Sequence, residues 1–321
     1  MEVSELYVRL EGDLAYVEDQ LRACLASGDP RLEASSTHLL TAGGKRLRPV
    51  FVLLAGMCGQ YDLSQLSKVA VGLELIHMAT LVHDDVIDHA DTRRGQATVK
   101  ATYGNKMAMV SGDFIFARAL EVLSEIEHVD VHRILSRAIW RMVAGEIEQI
   151  RDMYRLEQSM LQYLRRIRRK TALLIEMSCT LGAMVSGASK ETVAALRRYG
   201  YCTGMAFQIT DDILDFTASP EKLGKPVGGD LRQGNFTAPV LFALREQETK
   251  QALRSLISPT QSPAQVSEAI EWVAGSEGIA QSQHLADVYL TKAETALRRL
   301  PPGLSRDAFH SLAAFVGNRD H

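Results

Sequence analysis

Residues 50 to 219 contain no proline, whereas Pro30 and Pro49 precede that stretch and the other seven prolines lie at position 220 or beyond. Proline removes a backbone donor and clashes with the preceding helical turn, so a stretch this long without it can hold helices well above average length. The apolar pattern fills that allowance. Leu66, Val69, Ala70, Leu73, Ile76, His77, Thr80 and Leu81 recur at three- and four-residue steps, which predicts a helix over about 63–90, with Asp62 and Gln65 as a capping-box-like start. Similar runs predict helices near 106–124, 130–155, 160–186 and 190–218, and alternating strand patterns are nearly absent. The expected fold is all-α, one large helical bundle, with no repeat or linker that would divide residues 1–321 into domains. With 46% apolar residues, the chain can bury a sizeable core. The segment "SPEKLGKPVGGDLRQGNFTAP" (219–239) is too rich in proline and glycine for a helix and long for an idle connection, so it is expected to be functional. Ser262-Pro263 followed by Gln265 predicts a further helix start.

Charge and cysteine usage exclude several classes. A net charge of -3 gives no global pull toward nucleic acid or an acidic membrane, so any anion site must be local. Cys24, Cys58, Cys179 and Cys202 lack metal or disulfide spacing and suit a reducing cytosol. The start "MEVSELYVRLEGDL" has no signal-peptide pattern, and no 18-residue apolar segment is expected, which implies a cytoplasmic chain without a transmembrane segment.

Against this background "LVHDDVID" (81–88) is conspicuous: Asp84 and Asp88 are one helical turn apart, with Asp85 to the side. "FQITDDILDF" repeats the arrangement with Asp211, Asp212 and Asp215. Carboxylates four apart repel, and more so when desolvated, so both clusters call for cations. Magnesium suits them because it takes hard oxygen ligands, keeps several waters and binds through one or two carboxylates plus substrate phosphates. His77, His83 and His89 recur every six residues and diverge around a helix, which disfavours a histidine metal site. Cations stand nearby: Lys45, Arg46 and Arg48 in "GGKRLRP", Arg93 and Arg94 in "DTRRG", and the run "RRIRRKTALL", of which Lys170 and Arg166 share a face. Guanidinium forks and a glycine turn entering a helix suit phosphate oxygens. The basic run lacks interleaved aromatics, so nucleic acid is not an expected ligand.

Taken together, "GGKRLRP", "ELIHMATLVHDDVIDHADTRRG", "RRKTALL", "FQITDDILDF" and "GKPVGGDL" resemble, in order, the motifs of the trans-isoprenyl diphosphate synthases. The likeness runs from about residue 38 to the C-terminus. Within the family it points to the large catalytic subunits of two-component enzymes that make heptaprenyl diphosphate for menaquinone, and the ending "FVGNRDH" is similar too. The resemblance implies the isoprenoid synthase bundle with a central cavity, and condensation of isopentenyl diphosphate with an allylic diphosphate such as farnesyl diphosphate. Carried over, Lys45, Arg48, His77 and Arg94 would bind isopentenyl diphosphate. Asp84, Asp88, Asp211 and Asp215 would hold Mg2+ against the allylic diphosphate, helped by Arg93 and Lys225. Lys170, Thr171 and Gln208 would border the allylic carbocation without quenching it. Asp85 and Asp212 match the motifs, but their i+1 placement suggests supporting roles. Ala79, five residues before Asp84, stands where the family's short-chain enzymes carry an aromatic, so it is expected to leave the product path open. A smaller heterologous subunit is the expected partner, with a self-sufficient homodimer as the competing reading. One departure is visible: "GNFTAP" has Asn235 where many members have lysine, and Ala238 for leucine. A terpene cyclase would not need the second cation set, and a non-catalytic prenyl-binding subunit would not need both acid clusters.

Overall fold

The computed structural model describes residues 2–93, 95–218 and 227–318. Among these the chain is helical almost throughout, and the only paired strands are Thr92–Arg93 with Gln96–Ala97. The contacts divide it into two compact units: residues 1–136, 174–200 and 297–311, and residues 137–173, 201–296 and 312–321.

The first unit is organised on the helix Leu63–Ile87, which starts where Asp62 accepts a hydrogen bond from the Ser64 N–H (2.9 Å). It is buried nearly all round and packs closely on the helix Asn105–Ser124. At Gly72 a Cβ would come within 2.4 Å of Leu123, and at Gly112 within 2.2 Å of the His83 ring, so these two positions set the spacing of the helices. The helix Leu47–Gly56 is buried over its last eight residues, and its Phe51 meets Tyr199 and Phe309. The buried Tyr199 hydroxyl donates to the Phe309 carbonyl at 2.6 Å. Over 18 residues Leu63–Ile87 reaches a mean hydropathy of 1.2, which corrects the expectation that no such apolar segment exists. Since 72% of that window is buried inside the protein, its apolarity is that of a core helix surrounded by other helices.

In the second unit the helix Val129–Asp152 ends earlier than the expected 155, because Tyr154 turns left-handed (φ 58°) and its N–H donates to the Gly234 carbonyl. The largest departure lies in the expected helix 160–186. The chain forms the helix Met160–Ile167, then a π-helical turn over Arg168–Ala172, then the helix Leu173–Val185. Hydrophobic periodicity does not register one extra residue in a turn, so pattern alone reads the segment as continuous. The Ser262 start is as expected: its hydroxyl accepts from the Gln265 N–H, and the Gln265 side chain accepts from the Ser262 N–H. Leu63–Ile87 stops three residues short of 90, where His89 turns left-handed (φ 52°).

Candidate active site

Both acid clusters sit at helix C-termini. Asp84 lies in the last turn of Leu63–Ile87 and Asp88 caps it, while Asp211 and Asp215 lie in the last two turns of Lys190–Thr217. A helix C-terminus carries partial negative charge from its unpaired carbonyls, so three carboxylates there deepen an already negative potential. The middle acid of each cluster is committed to a protein partner. Asp85, 2% exposed, takes Arg93 Nη2 at 2.7 Å and Nε at 2.8 Å on its Oδ1. Burial pushes the Asp85 carboxyl up, and Arg93 pulls it back. Arg93, expected to reach a diphosphate, is thus also the counter-ion that makes Asp85 tolerable.

Asp212 has the same relation to its surroundings through uncharged donors. The fully buried Tyr163 hydroxyl donates to its Oδ2 at 2.6 Å, and Gln208 Nε2 donates to its Oδ1 at 2.8 Å. Burial, and next the neighbouring Asp230, push the Asp212 carboxyl well above its ordinary range against these two donors. Because the Gln208 amide nitrogen is turned to Asp212, its oxygen faces the other way and accepts from the Thr171 hydroxyl at 2.6 Å. Tyr163, Asp212, Gln208 and Thr171 therefore form one chain of hydrogen bonds whose far end is the residue pair expected beside the reacting carbon. The π-helical turn presents Thr171 and Lys170 side by side. Lys170 Nζ lies 3.2 Å from Glu146, and Arg169 Nη1 lies 2.6 Å from Glu148. Gly204 lets the turn approach the Lys190–Thr217 helix, since a Cβ there would come within 2.6 Å of the Ala172 Cα.

The glycine turn before Leu47–Gly56 separates its cations by role. Arg46 adopts a left-handed backbone (φ 45°) and is held by Glu18 (2.9 Å), Glu74 (3.4 Å) and the Leu40 carbonyl (3.1 Å), so it is structural. Lys45 precedes the helix and Arg48 lies in its first turn, beside amide donors that suit an anion. The Tyr7 hydroxyl donates to the Lys45 carbonyl and braces the turn. Its pKa is pushed up to about 12 by burial and by Glu74. His77 lies half-buried on Leu63–Ile87, a helix that packs on Leu47–Gly56, and Ala79 is buried on the same helix. Arg94 and Lys225 lie outside the described residues.

Asp230, in "GKPVGGDL", carries no sequence mark of a role, yet its N–H donates to Asp215 Oδ2 (3.2 Å) and its charge acts on Asp212. Arg166, on the face shared with Lys170, is buried: it donates to Gln158 Oε1 (2.7 Å) and to the Phe236 carbonyl, clamping the loop that carries Asn235. Among the described residues no three His, Cys, Asp or Glu side chains converge on a point. Paired hard carboxylates without such a cage fit a divalent ion that completes its shell with substrate oxygens and water.

Residues 29–273 match the polyprenyl synthetase family. The chain belongs to that family. Heptaprenyl diphosphate synthase component 2 of Geobacillus stearothermophilus is 49% identical over the whole of both chains. The crystal structure of heptaprenyl diphosphate synthase from Staphylococcus aureus superposes with a TM-score of 0.94 at 40% identity, covering 97% of this chain and 99% of that one. A polyprenyl synthase from Caulobacter crescentus, solved with calcium and isoprenyl diphosphate, gives a TM-score of 0.94 at 34% identity over 100% and 98% of the two chains. This synthetase therefore has the helical fold of the isoprenyl synthases and is a prenyltransferase.

Proposed function

We propose that residues 1–321 form a single catalytic module, the large subunit of a two-component synthase. It extends farnesyl diphosphate with isopentenyl diphosphate to heptaprenyl diphosphate for a menaquinone side chain, in the cytoplasm. The observation that carries this reading is the 49% identity, end to end, with a heptaprenyl diphosphate synthase component 2. Lys45, Arg48, His77 and Arg94 bind the isopentenyl diphosphate, and Arg93 and Lys225 bind the allylic one. Asp84, Asp88, Asp211 and Asp215 hold magnesium, which when bound supplies positive charge against the departing diphosphate. The allylic C–O bond breaks with its electron pair leaving on diphosphate. Lys170, Thr171 and Gln208 border the resulting cation, the Gln208 oxygen being fixed in place by Asp212 and Tyr163. The isopentenyl double bond forms the new C–C bond, and the proton then lost passes to the released diphosphate. No protein nucleophile takes part.

The test is incorporation of labelled isopentenyl diphosphate into farnesyl diphosphate with magnesium, with and without the smaller subunit from the same genome. Strong incorporation only in the mixture is expected. Long products made at about 1 per second or faster by the chain alone would leave the homodimer as the correct reading.

A further inference from the structure

The segment from Gly228 to Phe236 meets the second acid cluster at one end and is tied down at the other. The Gly228 N–H donates to the Asp215 carbonyl at 2.8 Å, and the Asp230 N–H donates to Asp215 Oδ2 at 3.2 Å. Asp215 is 1% exposed, so main-chain donors rather than bulk solvent fix the plane of its carboxylate. The helix Gly229–Arg232 spans only four residues, and the Asn235 N–H closes it onto the Asp230 carbonyl at 2.8 Å. So short a helix has no stability of its own. The direction of the Asp230 N–H therefore depends on what holds residues 231–236.

Tyr154 is the side chain that holds them. It lies just past the helix Val129–Asp152 with a left-handed backbone (φ 58°), which a residue with a bulky ring rarely adopts and glycine takes freely. What the tyrosine adds is contact. Its N–H donates to the Gly234 carbonyl at 2.8 Å, its hydroxyl donates to the Arg232 carbonyl at 3.1 Å, and a Cβ on Gly234 would come within 2.6 Å of its ring. Any residue with an N–H could make the first bond, whereas the other two contacts need this side chain. The turn beneath it is anchored in its own right. Asp152 pairs with Arg155 (3.2 Å) and Arg151 (3.4 Å), its carbonyl accepts from Gln158 Nε2 (2.6 Å), and Arg166 bridges Gln158 to the Phe236 carbonyl. From the other side Gln261 Nε2 donates to the Leu231 (3.1 Å) and Arg232 (3.2 Å) carbonyls, so loss of the Tyr154 side chain shifts the segment without releasing it.

We infer that Tyr154 is a positioning residue for the second acid cluster: through Arg232 and Gly234 it sets the Gly228 and Asp230 amides that aim the Asp215 carboxylate. This rests on the reading above that Asp215 holds magnesium, and it adds a residue that belongs to none of the acid or basic motifs.

The test is a calorimetric titration of magnesium, with inorganic diphosphate present, into the wild-type chain, Tyr154→Gly, Tyr154→Phe and Asp215→Ala. Glycine suits the left-handed backbone and removes ring and hydroxyl together. At least about tenfold weaker magnesium binding is expected for Tyr154→Gly, the scale of losing a group that supports a metal ligand. Hydrogen exchange in the peptide carrying Gly228 and Asp230 should quicken in parallel, a change that a lower melting temperature alone does not produce at one place. Tyr154→Phe keeps the ring and should come within about threefold of wild type, the scale of one hydrogen bond. Wild-type magnesium binding and exchange in a folded Tyr154→Gly would overturn the inference and leave Tyr154 as packing for the turn. Should Tyr154→Gly not fold, Tyr154→Phe decides: about threefold weaker binding with faster exchange supports the role, and wild-type values of both overturn it. Magnesium binding by Asp215→Ala equal to wild type would instead remove the metal reading and the inference with it.

Discussion

Tyr163 orients side chains it does not touch, through a chain of hydrogen bonds that ends at Thr171. It donates to Asp212 across 49 positions of sequence, and Asp212 in turn settles which way the Gln208 amide faces. Tyr163→Phe removes the donor and leaves a buried carboxylate oxygen unanswered, at a cost of about 1–3 kcal/mol of stability. The urea midpoint should fall accordingly, and kcat should fall more than the allylic KM changes, because the Asp212 carboxyl that orients Gln208 is then held by one donor fewer. If kcat is unchanged while stability drops, Tyr163 is a packing residue only. For the acids, Asp84→Ala or Asp215→Ala should each lower turnover at least about a hundredfold, the scale of losing one strong electrostatic contact in the transition state. Full magnesium-dependent activity in Asp84→Ala would remove it from the metal site. The acid clusters stand out in sequence because their spacing is itself the signal, whereas Lys170, Thr171 and Gln208 are singled out only by the family resemblance. Tyr163, Glu146 and Asp230 carry no such signal, because each acts through a partner that only the fold brings near, and no local pattern marks such pairs.

At the scale of elements, the Leu63–Ile87 helix carries the first acid cluster and, on the reading proposed above, borders the product path. Ala79 is buried on it, a little over one turn before Asp84. Ala79→Tyr should shorten the product by several isoprene units while the first condensations continue at normal rate, as read by chromatography of the dephosphorylated prenols. Normal rate with normal length would show that Ala79 serves helix packing alone. The existence of this helix followed from its three- and four-residue periodicity and the absence of proline, and its start from Asp62. Its end did not, because a left-handed residue such as His89 leaves no mark in a hydrophobic pattern. The same limit hid the π-helical turn. Ion pairs to Glu146 and Glu148 engage Lys170 and Arg169 of that turn, and its apolar neighbours on either side keep the spacing of an ordinary helix.

For the whole molecule, the two longest helices, of 25 and 28 residues, both finish in carboxylates. Whatever neutralises those ends binds the folded chain and finds no such helix ends in the unfolded one. By mass action, inorganic diphosphate together with magnesium should therefore raise the melting temperature, by an amount that grows with the logarithm of ligand concentration. Either component alone should raise it much less, and Asp84→Ala should blunt the combined effect. Equal shifts from magnesium alone would mean that the carboxylates do not need phosphate oxygens to complete the metal's shell. The consequence reaches beyond catalysis. A chain whose folded state is held by its own substrates is least stable when prenyl precursors run out, and quality-control proteases act on the fraction that unfolds. Where the combined shift is found, the amount of enzyme should follow the supply of its substrate.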